Sequence, residues 1–182
     1  MSLVYAFLAE GFEEVEALAV VDVLRRAKIE TKMVSVSDKL EVTSSHNVTI
    51  KADLLLEEAE FDKADMIFLP GGIPGTPNLR ATEKLMEAVL EFDRQGKKLA
   101  AVCAAPSIYG ELGLLEGKKA SCYPGFEDKL KGAEYHREKF ITDGNITTGR
   151  GMGGSIELGL ELVRILKSEE ESRELAEKIQ LV

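Results

Sequence analysis

Short apolar runs alternate with helix-period stretches along this chain, and that alternation restricts the fold more than any other feature of the sequence. Leu3–Ala9 is a first strand-like run. Glu14–Lys28 follows with apolar residues at helical spacing, acids at its start and arginines near its end, as a helix macrodipole prefers. Glu30–Ser37 alternates as a strand does, and Ser44–Ala52 suits a hairpin strand or a projecting edge. Ala64–Leu69 is a buried-type strand that stops at Pro70-Gly71-Gly72, where a Pro- and Gly-rich loop leads into a helix over about Glu83–Gln95. Lys98–Cys103 is a strand of small and apolar residues, followed by a short helix near Pro106–Leu112. Lys118–Lys139 is irregular with room for two short strands. Phe140–Thr148 reads as a hairpin about Asp143-Gly144, and Ser155–Lys167 and Glu170–Ile179 read as closing helices. With no linker or repeat in view, residues 1–182 read as one α/β domain with a mainly parallel sheet and helices on both faces.

Size and composition narrow the function classes. A chain of 182 residues buries roughly 70% of its unfolded surface and needs neither disulfides nor metal to fold. The net charge of −9 argues against nucleic acid and against anionic membranes, both of which attract basic patches. No run approaches the roughly 18 apolar residues of a membrane helix. The apolar start lacks a basic leader and meets Glu10, Glu13 and Glu14 at once, so it reads as a strand, not a signal peptide. Two cysteines, Cys103 and Cys122, make neither a disulfide scaffold nor a metal cluster, which points to a cytoplasmic, reducing compartment.

Ligands of parallel sheets sit beyond the carboxyl ends of the strands. Three strand ends there carry unusual residues: Ala9–Glu14, Leu69–Gly72 and Val102–Ala105. Cys103 ends a strand, and small Ala104 and Ala105 precede Pro106 at a helix start. That context suits a strained nucleophile whose thiol pKa is lowered by the helix N-terminus. A buried structural cysteine suits the same position. Gly71 and Gly72 allow close backbone approach, so the N–H groups of Gly72 and Ala104 could form an oxyanion hole; an ordinary turn is the alternative. Glu13 and Glu14 suit a helix cap. Glu16, between Val15 and Ala17-Leu18, suits an inward carboxyl whose pKa is raised beside the sulfur. Cys122 has no helix-start context and reads as structural. Gly149-x-Gly151-x-x-Gly154 lacks the strand that a dinucleotide fold would need next, so close helix packing explains these glycines better.

Four segments in order, EGFEEVEALAVVDVLRRA, FLPGG, AAVCAAP and ITTGRGMGGSIELGLELV, resemble the ThiJ/PfpI superfamily, closest to its Parkinson-disease-protein (deglycase) branch, over essentially the whole chain. The resemblance implies a flavodoxin-like fold akin to class I glutamine amidotransferases, usually homodimeric, with no cofactor and no metal. It matches Cys103 to the reactive elbow cysteine, Glu16 to a protonated carboxyl bonded to that sulfur, and Gly72 and Ala104 to the backbone donors. Many relatives have a histidine where this chain has Tyr123, peptidase-branch relatives have one where it has Ala104, and close relatives often have proline at Met152. His46 lies where relatives carry an arginine near the dimer partner's site, which leaves a pocket-lining or a solvated loop histidine open. His136 sits in a charged run and reads as surface.

Two functions follow from this reading. One is thiolate attack by Cys103 on a small-molecule α-oxoaldehyde or its adducts, with Glu16 as acid and base. The other is a redox-sensing stress protein that works through oxidation of Cys103 to sulfinate. A cysteine peptidase or amidase would need a histidine base, which neither histidine supplies beside Cys103.

Overall fold

The computed structural model describes residues 2–182. Seven strands form the main sheet in the order β10-β11-β7-β6-β1-β2-β5. In chain order they are β1 (Leu3–Leu8), β2 (Glu30–Ser35), β5 (Leu54–Leu55), β6 (Met66–Leu69), β7 (Lys98–Val102), β10 (Phe140–Asp143) and β11 (Ile146–Gly149). Every pairing in it is parallel except β10 with β11, the hairpin about Asp143-Gly144. Two small sheets lie outside it. One is the hairpin β3 (Glu41–Thr43) with β4 (Thr49–Lys51), and the other pairs β8 (Lys119–Ala120) with β9 (Glu134–Tyr135).

Side chains alternate between the faces of a strand, so each central strand feeds two cores. Val4 and Ala6 of β1, Met66 and Phe68 of β6, and Ala100 and Val102 of β7 face one side. There they meet α1 (Glu14–Arg26), α5 (Ser155–Leu166) and α6 (Glu169–Lys178) through Val20, Leu24, Leu158, Leu162 and Leu175. Tyr5, Phe7, Ile67, Leu69, Leu99 and Ala101 face the other side, against α3 (Glu83–Arg94) and α4 (Pro106–Glu111) through Val89, Phe92, Ile108 and Tyr109. Both faces are covered, which is why β6 and β7 read as continuous apolar runs rather than alternating ones. Helices α1 and α5 meet at Gly159, where an added Cβ would lie 2.9 Å from Val23 Cβ.

From β1 the chain moves outward through β2 to β5, then returns to the opposite side of β1 as β6 and continues outward through β7. The order therefore reverses between β1 and β6, and a crevice opens at their carboxyl ends. Three elements went unread in the sequence: β3, which precedes the expected Ser44–Ala52 strand, β5 and α2. Strand β5 is only two residues long, and α2 (Gly75–Arg80) is a short helix with Pro77 in its first turn, where the proline's missing N–H costs no bond. The expected strand Lys98–Cys103 stops at Val102, because Cys103 turns out of the strand conformation.

Candidate active site

Loops after β1, β6 and β7 converge on the crevice. Cys103 has φ +64°, a left-handed conformation that a non-glycine residue adopts at a cost of about 1–3 kcal/mol. Two hydrogen bonds hold it there. Its N–H donates to the Gly149 carbonyl at 2.9 Å, and its own carbonyl accepts from Tyr123 N–H at 2.8 Å. Ala104 and Ala105, both buried, leave room for this elbow. Cys103 itself is partly exposed, as a reacting group must be.

Glu16 sits in the first turn of α1 and is 1% exposed. Its N–H donates to the Glu13 carboxylate at 2.6 Å, so Glu13 caps the helix as expected. The Glu16 Oε2 accepts from Gly71 N–H at 2.9 Å, and further hydrogen bonds join the carboxyl to Met152 N–H and to the Cys103 sulfur. Burial pushes its pKa up to about 7, aided by the nearby Glu13 charge and opposed by those hydrogen bonds.

The expected lowering of the thiol pKa does not appear. Burial first, then the charge and hydrogen bond of Glu16, push the Cys103 thiol up to about 12, against the N–H groups of Ala104 and Gly72 that favour the thiolate. Helix α4 is too short, at 6 residues, to offset this. The physical meaning is that two negative charges cannot share the crevice. Near neutral pH the pair carries one charge at most, and a thiolate forms when the proton resides on Glu16.

Gly71 is confined by this pair. An added Cβ would lie 2.6 Å from Cys103 Cβ and 2.8 Å from Glu16 Oε2. Gly72, at φ +98°, is pressed against the backbone of Gly11, Phe12 and Glu13, and the Glu13 N–H donates to the Gly71 carbonyl. Both glycines therefore serve close approach, and the N–H groups of Gly72 and Ala104 meet at the sulfur.

Tyr123 and Met152 flank the crevice with half-exposed side chains. With Lys139, Arg150 and Gly151 they line an open cleft of about 430 Å³. The sequence had marked Met152 for pocket shape. What it missed was the Met152 N–H bonded to Glu16, a backbone contact that side-chain identity cannot signal. Arg150 and Lys139 in the cleft were missed too, since charged residues near a glycine run look like ordinary surface.

His46 does not reach the sulfur within this chain. It lies in the β3–β4 turn with a 68% exposed side chain, its Nδ1 3.0 Å from Glu14 Oε1. Glu14 raises the His46 pKa, and the histidine in turn helps lower that of Glu14. Donor atoms of Glu13, Glu14 and His46 lie within 4.8 Å of one another, but the helix cap and the His46–Glu14 pair already use them. His136 pairs with Glu134 at 2.9 Å. Cys122 is fully buried in the core beside α4, a structural cysteine. Of the three glycines ascribed to close helix packing, only Gly149 meets α5, through Leu158; Gly151 adjoins Tyr123 and Glu16, and Gly154 adjoins Lys139. No helix among the described residues is long and apolar enough to cross a membrane.

A cysteine elbow facing a buried carboxyl, at the switch crevice of a mostly parallel sheet, defines a flavodoxin-like cysteine-elbow domain. The chain belongs to the DJ-1/PfpI family, whose model matches residues 2–165. It is 38% identical over 170 residues to Protein DJ-1 homolog B of Arabidopsis thaliana, covering 93% of this chain and 39% of that protein. The chain thus spans about two fifths of the length of that plant relative. A deglycase of Pyrococcus abyssi is 30% identical over 161 residues, covering 87% of this chain and 96% of the relative. Among solved structures, oxidized Toxoplasma gondii DJ-1 superposes with a TM-score of 0.95 at 33% identity, covering 99% of this chain and 98% of that one.

Proposed function

We propose that this chain is a cofactor-free, cysteine-dependent enzyme acting on small α-oxoaldehydes or their adducts, of the glyoxalase or deglycase type. The observation that carries the reading is the buried Glu16 bonded to Cys103, with no histidine beside the sulfur. In a substrate such as methylglyoxal, proton transfer to Glu16 leaves a thiolate whose sulfur bonds to the aldehyde carbon, making a hemithioacetal. The oxygen, negative as it forms, is met by the Gly72 and Ala104 N–H groups and then takes the proton held by Glu16, which frees the carboxylate to act as base. Glu16 next removes the proton on that carbon and returns a proton to the neighbouring carbon through an enediol. The aldehyde carbon is thereby oxidised and the ketone carbon reduced within one molecule. Water cleaves the resulting thioester, releasing a 2-hydroxy acid and the thiol, so no external oxidant is needed. The relative named deglycase supports the same chemistry on glycated thiols or amines.

A second reading, redox sensing through Cys103, draws on the oxidized relative from Toxoplasma. A sulfinate at Cys103 would accept a hydrogen bond from protonated Glu16. Cys122 is buried in the core and unsuited as a resolving thiol. A homodimer is part of the proposal, supported by the exposed apolar side chains of Val15 on α1, Val48 in the β-hairpin and Ile156 on α5. Free thiols and the acidic surface suit a cytoplasmic setting without nucleic-acid or membrane partners.

The test is 2-hydroxy-acid production from methylglyoxal by purified protein without glutathione, with Cys103→Ser as control. Multiple turnovers that vanish in the variant support the enzyme. No turnover, with Cys103 still selectively oxidised by peroxide, replaces it with the sensor.

A further inference from the structure

We propose that the cleft beside the Cys103–Glu16 pair is an anion subsite, in which Arg150 selects α-oxoaldehydes that carry a carboxylate or phosphate beyond the two reacting carbonyls. This deepens the enzymatic reading by naming a substrate class for the same site. The cleft is lined by Tyr123, Lys139, Arg150 and the glycine-rich turn Gly151–Gly154. Its link to the reacting pair runs through three backbone features. Cys103 N–H donates to the carbonyl of Gly149, the residue before Arg150; Tyr123 N–H donates to the Cys103 carbonyl; and Met152 N–H bonds to Glu16. An added Cβ on Gly151 would lie 3.4 Å from the Tyr123 ring and 3.9 Å from Glu16 Oε1, so the floor of the cleft adjoins the carboxyl.

Arg150 N–H donates to the Lys139 carbonyl at 2.8 Å, which sets two cationic residues side by side at the rim. Lys139 is neutralised by Glu157 at 2.5 Å. Arg150 is half-buried and has neither an ion pair nor a side-chain hydrogen bond among the described residues. The nearby carboxylates are engaged elsewhere, Glu157 with Lys139 and Glu16 with backbone N–H groups and the sulfur. A half-buried arginine with no counter-charge, in a protein of net charge −9, is a local exception to the acidic surface. Its planar fork suits two oxygens of a carboxylate or phosphate. A small anion held there would lie over the glycine floor that adjoins Glu16, with its uncharged end free to present a carbonyl to the reacting pair.

The test compares alkylation of Cys103 by anionic iodoacetate and neutral iodoacetamide, followed by mass. Both form the same S–C bond and expel iodide, so their rate ratio reports charge recognition and not turnover. Arg150→Gln should lower the iodoacetate-to-iodoacetamide ratio roughly fivefold, a ratio from which any change in thiolate fraction cancels, and Arg150→Lys should restore part of it. Inorganic phosphate should slow wild-type alkylation but not that of Arg150→Gln, while acetate tests the carboxylate arm. An equal ratio in wild type and Arg150→Gln overturns the subsite. Amide NMR shifts of Gly151, Gly153 and Gly154 under phosphate titration give a second reading that needs no reactive thiol: movement in wild type alone supports the subsite, and none overturns it. A preserved ratio without turnover of any oxoaldehyde would remove the enzymatic reading and leave the subsite standing.

Discussion

Replacing Glu16 with glutamine isolates the energetic cost of the buried carboxyl. Glutamine keeps the side-chain length and an oxygen to accept from Gly71 N–H, but it does not titrate. In the folded protein Glu16 titrates at about 7, against 4.5 for the free group. The raised value means that the folded state holds this proton more tightly than the unfolded chain does. Between pH 4.5 and 7 the unfolded chain therefore binds fewer protons, and stability falls as pH rises; below and above that window the contribution is flat. At roughly 1.4 kcal/mol per pH unit, the wild type loses about 3 kcal/mol across it. The assay is urea unfolding of wild type and Glu16→Gln at pH 4.5, 6 and 8, taking the difference at each pH so that other titrating groups cancel. The wild-type stability relative to the variant should fall by about 3 kcal/mol from pH 4.5 to 8, with most of the fall complete by pH 7. A difference that stays constant to within about 0.5 kcal/mol would refute the raised pKa and with it the one-proton account of the pair.

Other expectations follow from the packing. Gly71→Ala should push Cys103 and Glu16 apart, destabilise the fold by about 1–3 kcal/mol in urea melts and slow Cys103 alkylation at least roughly tenfold. Gly159→Ala should cost about 1–3 kcal/mol in urea melts, because the new methyl meets Val23 Cβ at 2.9 Å, a contact that even Val23→Ala would keep. In NMR titration His46 should hold its proton above the usual 6.5 and return toward that value in Glu14→Gln; the small benefit of this exposed pair is present at low pH and fades as pH rises through the His46 pKa. Ser168→Ala should remove the hydrogen bond from Glu171 N–H that caps α6 and cost about 1 kcal/mol.

Much of the fold was legible in the sequence. Strands β1, β6 and β7 and helices α1, α3 and α5 emerge from apolar periodicity alone, since burial on both faces or on one stripe writes itself into residue spacing. The antiparallel hairpin was legible from Asp143-Gly144, and the elbow from small residues around Cys103. Elements α2, β3 and β5 were not, because they are held by packing and too short to show a period.

For the site, sequence by itself determined which residue types were present: one cysteine at a strand end, an acid flanked by apolar neighbours, a glycine pair and no adjacent histidine. Only the tertiary structure decided their electrostatics. The sequence suggested a thiol activated by its own helix, yet that helix is short, and residues 87 positions apart come together in a space that tolerates one charge. Desolvation and charge repulsion depend on distance and burial, which no local pattern of residues encodes. The same holds for Arg150, whose lack of a partner is a property of the folded cleft and not of its neighbours in the chain.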